Sequence, residues 1–336
     1  MHFNIIVGNH GELETLEPLA PLVNYVRSTL SVCGHSAAIV QQGLHSSAIN
    51  LFLEHFPDVD SWLPRLRTLK QKHGLRIGVI ATELMVGNTI PYARNGIYTV
   101  GPLAKDEYIE RRVAGFNAVL PEVDFLWSFF RRTADEYKSR CKRSWYFPVG
   151  HVHSHPPELR TCVKDIDIAF FGTMTPHRLA ILRQFARIGS LNTAFVGRQP
   201  DPGATTGIAS SGFAPSYMLS SILDRARIGL NLTLCSADEA DRGIDPRFAS
   251  CTRVTEMLEH DVCIVSEEIP HDNPYRDYMV SAEAADLAEV CLELIQSGEW
   301  RSRGPDCGSR FRDKMDVRKI CAPVIEETLD ALAAPG

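Results

Sequence analysis

The sequence predicts an α/β protein of two domains, each built around a parallel sheet. Short β-branched and apolar runs alternate with longer helical stretches through both halves of the chain. Several of those runs stop on a glycine, with a polar turn and a helix after it. The 336 residues also exceed what a single core usually serves.

The first half opens on HFNIIVG, a strand closing on Gly8, and NHGE is the loop beyond it. EPLAPLVNYVRSTL reads as a helix, with Pro18 tolerable near its first turn and Pro21 less welcome. SAAIVQQ is a second strand. SSAINLFLEHF, residues 46–56, is expected to be a helix: its serines can cap, and Ile49, Leu51, Phe52 and Phe56 show helical spacing. DVD at 58–60 then follows that helix as a turn. LRIGVIATE is a third strand, AKDEYIERRVAGFNAVL a helix with charged and apolar faces, and VDFLWSFF a fourth strand. SWYFPVGHVH is a short strand leaving the domain. Pro156–Pro157 in the segment HSHPPELRT interrupts all periodicity, so the boundary falls at 153–161.

The second half repeats the alternation. DIDIAFFG is a strand stopping at Gly172, followed by TMTP and the helix HRLAILRQFARIG. NTAFVG ends on Gly197, and RIGLNLTL runs from Arg227 to Leu234. A short amphipathic helix carrying Arg253 and Glu256 leads into VCIVS, Val262 to Ser266. Strands alternating with helices imply a parallel sheet covered on both faces. DVRKICAPVIEETLDALAA closes the chain as a helix, with Pro323 early in it. The organisation expected is an N-terminal domain over 1–155, a C-terminal domain over 160–314, and a last helical segment over 315–336.

Composition narrows the function. The chain is 44% apolar and 23% charged, ordinary for a globular protein. Thirty-five basic against 41 acidic residues leave a net charge of −6 and no long basic run, so nucleic acid is not an expected partner. Nine cysteines stand without a C-x-x-C pair, which supports neither a zinc site nor a disulfide framework and fits a reducing cytoplasm. MHFNIIVG has no basic region or apolar core of the signal-peptide kind. No apolar run approaches the roughly 20 residues that cross a bilayer.

The most specific local signal is SCTRVTEMLEHDVCIVSEE. Arg253 and Glu256 are three apart and share one helix face, which suits an exposed ion pair. The same pair at the carboxyl edge of a parallel sheet suits a nucleoside diphosphate. A guanidinium fork pairs with phosphate oxygens, and a carboxylate accepts from two ribose hydroxyls. Replacing Arg253 is expected to spare the fold, since an arginine at a cleft is not a core residue.

The order strand–FGT–helix, RIGLNLTL, SCTRVTEML, VCIVSEE resembles the C-terminal half of GT-B glycosyltransferases, over about 170 residues. The nearest pattern is the spore-maturation CgeB-like, group 1 type, with Arg253, Glu256 and Val262 to Ser266 matching its R-x-x-E and following strand. The resemblance implies two Rossmann-like domains facing across a cleft. Donor nucleotide would lie on the C-terminal side and acceptor on the N-terminal side, and the last helix often crosses back to the first domain. One departure stands out: Phe248 occupies the position, eight before Glu256, where many retaining members carry a glutamate.

Transfer of a sugar needs a held leaving group, an oriented acceptor and, for inversion, a base. Arg253, the amides near Gly172 and Thr173, and Arg178 are candidates for stabilising the diphosphate without a metal. Arg178 reads equally well as a solvated helix residue. His10, in the loop after the first strand, and Glu83, at the end of IATE, are the candidate bases. Asp272 and Asn273 follow the last strand and either read sugar hydroxyls or form a turn between Pro270 and Pro274. Tyr217, in FAPSYML, is the candidate stacking partner for the base. His151, His153 and His155 alternate and would point the same way about 7 Å apart on an extended segment, but beside Pro-Pro they read as hinge residues. No D-x-D follows an apolar strand, so no metal and no resident cofactor is expected. The partners implied are a nucleotide-sugar donor and an acceptor of open class: glycan, lipid-linked sugar, small molecule or protein. A non-catalytic nucleotide-sugar binder and a nucleotide-sugar epimerase are the alternatives.

Overall fold

The computed structural model describes residues 1–8, 19–41, 43–56, 59–90, 105–152, 162–197, 216–234 and 251–334. It divides into two compact units. The first gathers Met1–Ile90, Thr99–Ser154 and Met315–Gly336, and the second holds His155–Lys314.

Unit 1 runs β1 (His2–Ile6), α1 (Ala20–Val32), β2 (Ser36–Val40), β3 (Ile49–Leu53), α2 (Val59–His73), β4 (Arg76–Ala81), α3 (Lys105–Val119), β5 (Phe125–Ser128), α4 (Arg131–Glu136) and β6 (Ser144–Tyr146). Its six strands are all parallel, in the order β2-β1-β3-β4-β5-β6. The segment expected as a helix over 46–56 is instead the strand β3, paired with both β1 and β4. A strand buried on both faces has no need to alternate, so INLFL is a continuous apolar run that helical spacing also fits. Its one polar residue, Asn50, is satisfied in place: Nδ2 donates to the carbonyls of His45 and Arg76, and Oδ1 accepts from His45 N. The helix sits after that strand rather than on it. Val59 and Asp60, expected in a turn, open α2, which continues through Pro64.

Unit 2 runs β7 (Ile166–Phe171), α5 (Pro176–Ala186), β8 (Thr193–Val196), α6 (Ser216–Arg225), β9 (Ala226–Asn231), α7 (Cys251–Glu259), β10 (Cys263–Glu267), β11 (Val280–Ala282), α8 (Leu287–Ser297) and α9 (Trp300–Lys314). The five strands are parallel in the order β11-β10-β9-β7-β8. Ile168, Phe170, Leu230 and Val265 of the sheet pack with Leu182 and Phe185 of α5 and with Leu287 and Leu294 of α8. Burying side chains of this size stabilises by about 1.5–3 kcal/mol each, which fixes the sheet on which the site is built.

The chain then returns to unit 1 as α10 (Val317–Ile320) and α11 (Ala322–Ala333). His151 is buried and bridges to Asp316, its N–H donating to Met315 O and its carbonyl accepting from Val317 N. Trp127 Nε1 donates to Thr328 Oγ1 at 2.9 Å, and Tyr25 donates its hydroxyl to Pro148 O. His153 and His155 lie outside the described residues. Among the described residues, no helix is long and apolar enough to cross a membrane.

Candidate functional site

In both sheets the chain leaves its first strand towards one edge and returns on the other side, so a switch point lies between β1 and β3 and between β7 and β9. At such a point neighbouring strands diverge, and the last carbonyls of each lose their ladder partners.

In unit 2 two arginines fill that gap. Arg253, on α7, is 8% exposed. Its Nε donates to Phe171 O at the end of β7 (2.7 Å), and its Nη1 to Leu232 O beyond β9 (3.0 Å) and to Asn231 Oδ1 (3.4 Å). Arg178, on α5, is 5% exposed; Nε, Nη1 and Nη2 donate to Thr233 O, Thr173 O and Leu232 O at 2.8, 2.8 and 3.0 Å. Both guanidinium groups lie over the Phe170 ring, 5.1 and 5.7 Å from its centroid. Burial and the like charge of Arg178 together lower the Arg253 pKa well below its ordinary value. Two expectations are therefore corrected. Arg178 is not a solvated helix residue, and Arg253 is not a cleft-surface residue but a buried one that donates to the Phe171 carbonyl.

Arg253 Nη2 makes no hydrogen bond among the described residues, and it points at the Gly172 turn. Gly172 has φ +138, and a Cβ there would come within 2.6 Å of Nη2. A Cβ on Gly197 would meet Gly172 O at 1.8 Å, so both glycines are required by close approach. Thr173 gives its carbonyl to Arg178 and to Thr175 N. Thr175 caps α5, its hydroxyl accepting from Arg178 N and donating to Leu234 O, and Pro176 takes the first turn. The T-P pair was a readable cap signal, and it puts the cap two residues past Thr173. One turn along α7 from Arg253, burial raises the Glu256 carboxyl to about 7, against the opposing pull of the Arg253 charge.

A further cluster was not expected from sequence. Glu267, the last residue of β10, accepts from Thr233 N (2.6 Å) and Thr233 Oγ1 (3.0 Å) with one oxygen, and pairs with His177 Nε2 at 2.7 Å with the other. Burial works to raise its pKa, but the His177 contact and the Thr233 bonds outweigh it and hold the carboxyl below its ordinary value. Its position, a polar residue ending an apolar strand, was the available signal.

Unit 1 carries a related arrangement. Glu54, just past β3, is 0% exposed. One oxygen accepts from Thr82 N (2.6 Å), Thr82 Oγ1 (2.5 Å) and Glu83 N (3.1 Å), and the other pairs directly with Arg112 of α3. Burial is opposed by the Arg112 charge and the Thr82 bonds, so Glu54 also stays below its ordinary value. Glu83, expected to end its strand, lies two residues past the end of β4, with its side chain 44% exposed and 3.9 Å from Arg112 Nη1. Desolvation and the Glu54 charge raise its pKa while Arg112 opposes; water at the exposed part softens the first of these.

The remaining candidates are scattered. Asn273 Oδ1 accepts from Tyr275 N and its own N–H donates to Pro270 O, an Asx turn, while Asp272 is exposed beside it. Tyr217 is 75% exposed on α6. His10 and Phe248 lie outside the described residues. Among the described residues, no group of three or more His, Cys, Asp or Glu side chains is gathered for a metal ion.

No protein-family profile matches the chain, and no curated protein matches it by sequence. Solved structures do match. The chain is similar to the sucrose-phosphate synthase of Thermosynechococcus elongatus, with a TM-score of 0.61 at 11% identity over 100% of both chains. It is similar to the β-glucosyltransferase of phage T4, with a TM-score of 0.54 at 14% identity over 98% of this chain and 100% of the other. That enzyme has also been solved with UDP and Mn²⁺. It is similar to a UDP-forming α,α-trehalose-phosphate synthase of Burkholderia xenovorans, with a TM-score of 0.50 at 11% identity over 87% and 75% of the two chains. The fold is thus the α/β type with two Rossmann-like domains found in GT-B glycosyltransferases.

Proposed function

We propose that the protein is a glycosyltransferase that moves a sugar from a nucleoside-diphosphate sugar to an acceptor hydroxyl. The observation that carries this reading is Arg253. Two of its nitrogens are anchored on strand-end carbonyls, which leaves Nη2 aimed at the Gly172 turn with Glu256 one helical turn away. Anchoring removes the rotamer entropy that a free arginine loses on binding, so the remaining N–H groups are preorganised for a phosphate. Glu256, when ionised, accepts from the ribose hydroxyls. Thr173 and the charge of Arg178 complete the donor site beside Gly172, whose own N–H is committed to Val196 O, and Asp272, Asn273 and Tyr217 are assigned to its sugar and base ends. The CgeB-like subtype belongs to this proposal too.

For an inverting transfer we assign the base to Glu83, with His10 the second candidate. The acceptor oxygen bonds to the anomeric carbon as its proton passes to the base. The bond from that carbon to the diphosphate oxygen breaks, and its electron pair leaves on the phosphate. The developing charge falls to Arg253 and Arg178, so no divalent cation is required in the proposed step.

Calorimetry with nucleoside diphosphates, followed by product analysis with their sugars and a panel of acceptors, tests the reading. Diphosphate binding that survives a chelator, together with sugar transfer, is expected. Binding without transfer or release would make the chain a non-catalytic binder, conversion of the sugar while still on the nucleotide would make it an epimerase, and strict dependence on Mg²⁺ or Mn²⁺ would remove the metal-free step.

A further inference from the structure

Glu54 is completely buried, and it accepts from Thr82 and from the backbone N–H of Glu83 itself. A carboxylate held in that way has a cost in desolvation that the Arg112 charge must offset. A well-packed apolar residue would stabilise as much, so the arrangement points to a role beyond stability. Arg112 stands between two carboxylates but contacts them unequally: it pairs directly with Glu54 and stays 3.9 Å from Glu83.

We propose that Glu54 is the positioning residue for Glu83, fixing its backbone through Thr82 and holding Arg112 away from its carboxylate. The proposal rests on the assignment of Glu83 as the base. A base fully paired with a guanidinium loses basicity, because the opposite charge favours the ionised form. By committing Arg112 to itself, Glu54 leaves Glu83 with a partial interaction only, and its own negative charge adds to the basicity of its neighbour. Among the described residues, the charged groups acting on Glu83 are Arg112 from α3 and Glu54 from the end of β3.

The test is the pH profile of kcat/KM in three variants, with a carboxyl ¹³C titration of Glu83 in the full-length protein as a readout independent of turnover. In Glu54→Gln the like charge is gone and Arg112 closes on Glu83, so the acid limb and the NMR titration both move down by about 1 pH unit. In Arg112→Gln both move up, and this variant decides the matter if Glu54→Gln fails to fold. A role in stability alone would lower activity or melting temperature and leave both midpoints in place, and that result would overturn the proposal. Glu83→Gln separates the two ideas. It should lower kcat/KM by about 100-fold. If it does not, Glu83 is not the base, whereas a Glu83 titration that still moves in Glu54→Gln leaves the positioning role standing.

Discussion

The two sheets solve the same structural problem with the parts exchanged. In unit 1 the clamp joins the third and fourth strands in chain order, with the glutamate after β3 and the threonine after β4. In unit 2 it joins the corresponding strands, but the threonine follows β9 and the glutamate ends β10. Each glutamate takes both the N–H and the hydroxyl of its threonine, tying two paired neighbouring strands together at their carboxyl ends. The cation differs. Glu54 faces Arg112, which is always charged, and Glu267 faces the imidazole of His177. A permanent partner makes the unit 1 clamp a fixed ion pair at every physiological pH. In unit 2 the permanent charges, Arg178 and Arg253, are held instead by backbone carbonyls, which cannot neutralise them. That difference leaves unit 2 with two guanidinium groups anchored on strand-end carbonyls, the Glu256 and Glu267 carboxylates acting on Arg253, and unit 1 with one guanidinium shared unequally between Glu54 and Glu83.

Glu54→Gln is the most severe way to break the comparison. It leaves the Arg112 guanidinium without its buried counter-charge and should cost about 3–5 kcal/mol in urea unfolding. The sign of its pH dependence follows from the depressed Glu54 pKa. The contribution of Glu54 is present above the ordinary carboxylate range and is lost as pH falls through its lower folded value, so the deficit of the variant should shrink in acid. An equal deficit at all pH values would mean that Glu54 acts by shape rather than charge.

Arg253→Ala should cost about 1–3 kcal/mol of stability from the orphaned Phe171 carbonyl, Leu232 O keeping its bond from Arg178, along with diphosphate affinity. A stable variant that simply fails to bind would return Arg253 to the cleft-surface role expected from sequence.

Glu256 sharpens the unit 2 side. With its carboxyl raised to about 7, it accepts from ribose hydroxyls only where ionised, so ribonucleotide affinity should rise up to about tenfold between pH 6 and 8. A 2′,3′-dideoxy analogue should show no such rise in calorimetry, and Glu256→Gln should remove it. In the unliganded protein the sign is opposite: a raised carboxyl favours the fold at low pH and loses that contribution as pH rises through about 7.

Glu267→Gln should have the smallest effect, about 1 kcal/mol, because the amide oxygen can still accept both Thr233 bonds. A deficit as large as that of Glu54→Gln would show that the charge of Glu267 matters as much as that of Glu54, and the contrast between the two clamps would disappear.

Much of this was legible from residue order. The glycine-stopped strand DIDIAFFG, the helix bearing Arg253 and Glu256, and VCIVS all stand where their patterns put them. β3 was not legible, because full burial on both faces erases the alternation that marks a strand, and Pro64 and Pro305 sit inside helices that local rules would break. Sequence also could not separate an arginine that binds a ligand from one that caps carbonyls. Nothing within a few residues of Arg253 reveals that its acceptors lie at Phe171 and Leu232.

By itself, then, the chain determined the alternation of strands and helices, the residue types at the strand ends and the two-sheet α/β class, since each depends on local periodicity, turn chemistry and length. Only the tertiary structure decided that Arg178 and Arg253 share one ring and the Leu232 carbonyl, and that Glu54 reaches Thr82 and Arg112 while Glu267 reaches Thr233 and His177. The two glutamate clusters join residues from 28 to 90 positions apart, and the pairing of β3 with β4 and of β9 with β10 brings them together. Spacing along the chain carries no trace of a neighbour that is set by which edge of the sheet a strand returns to.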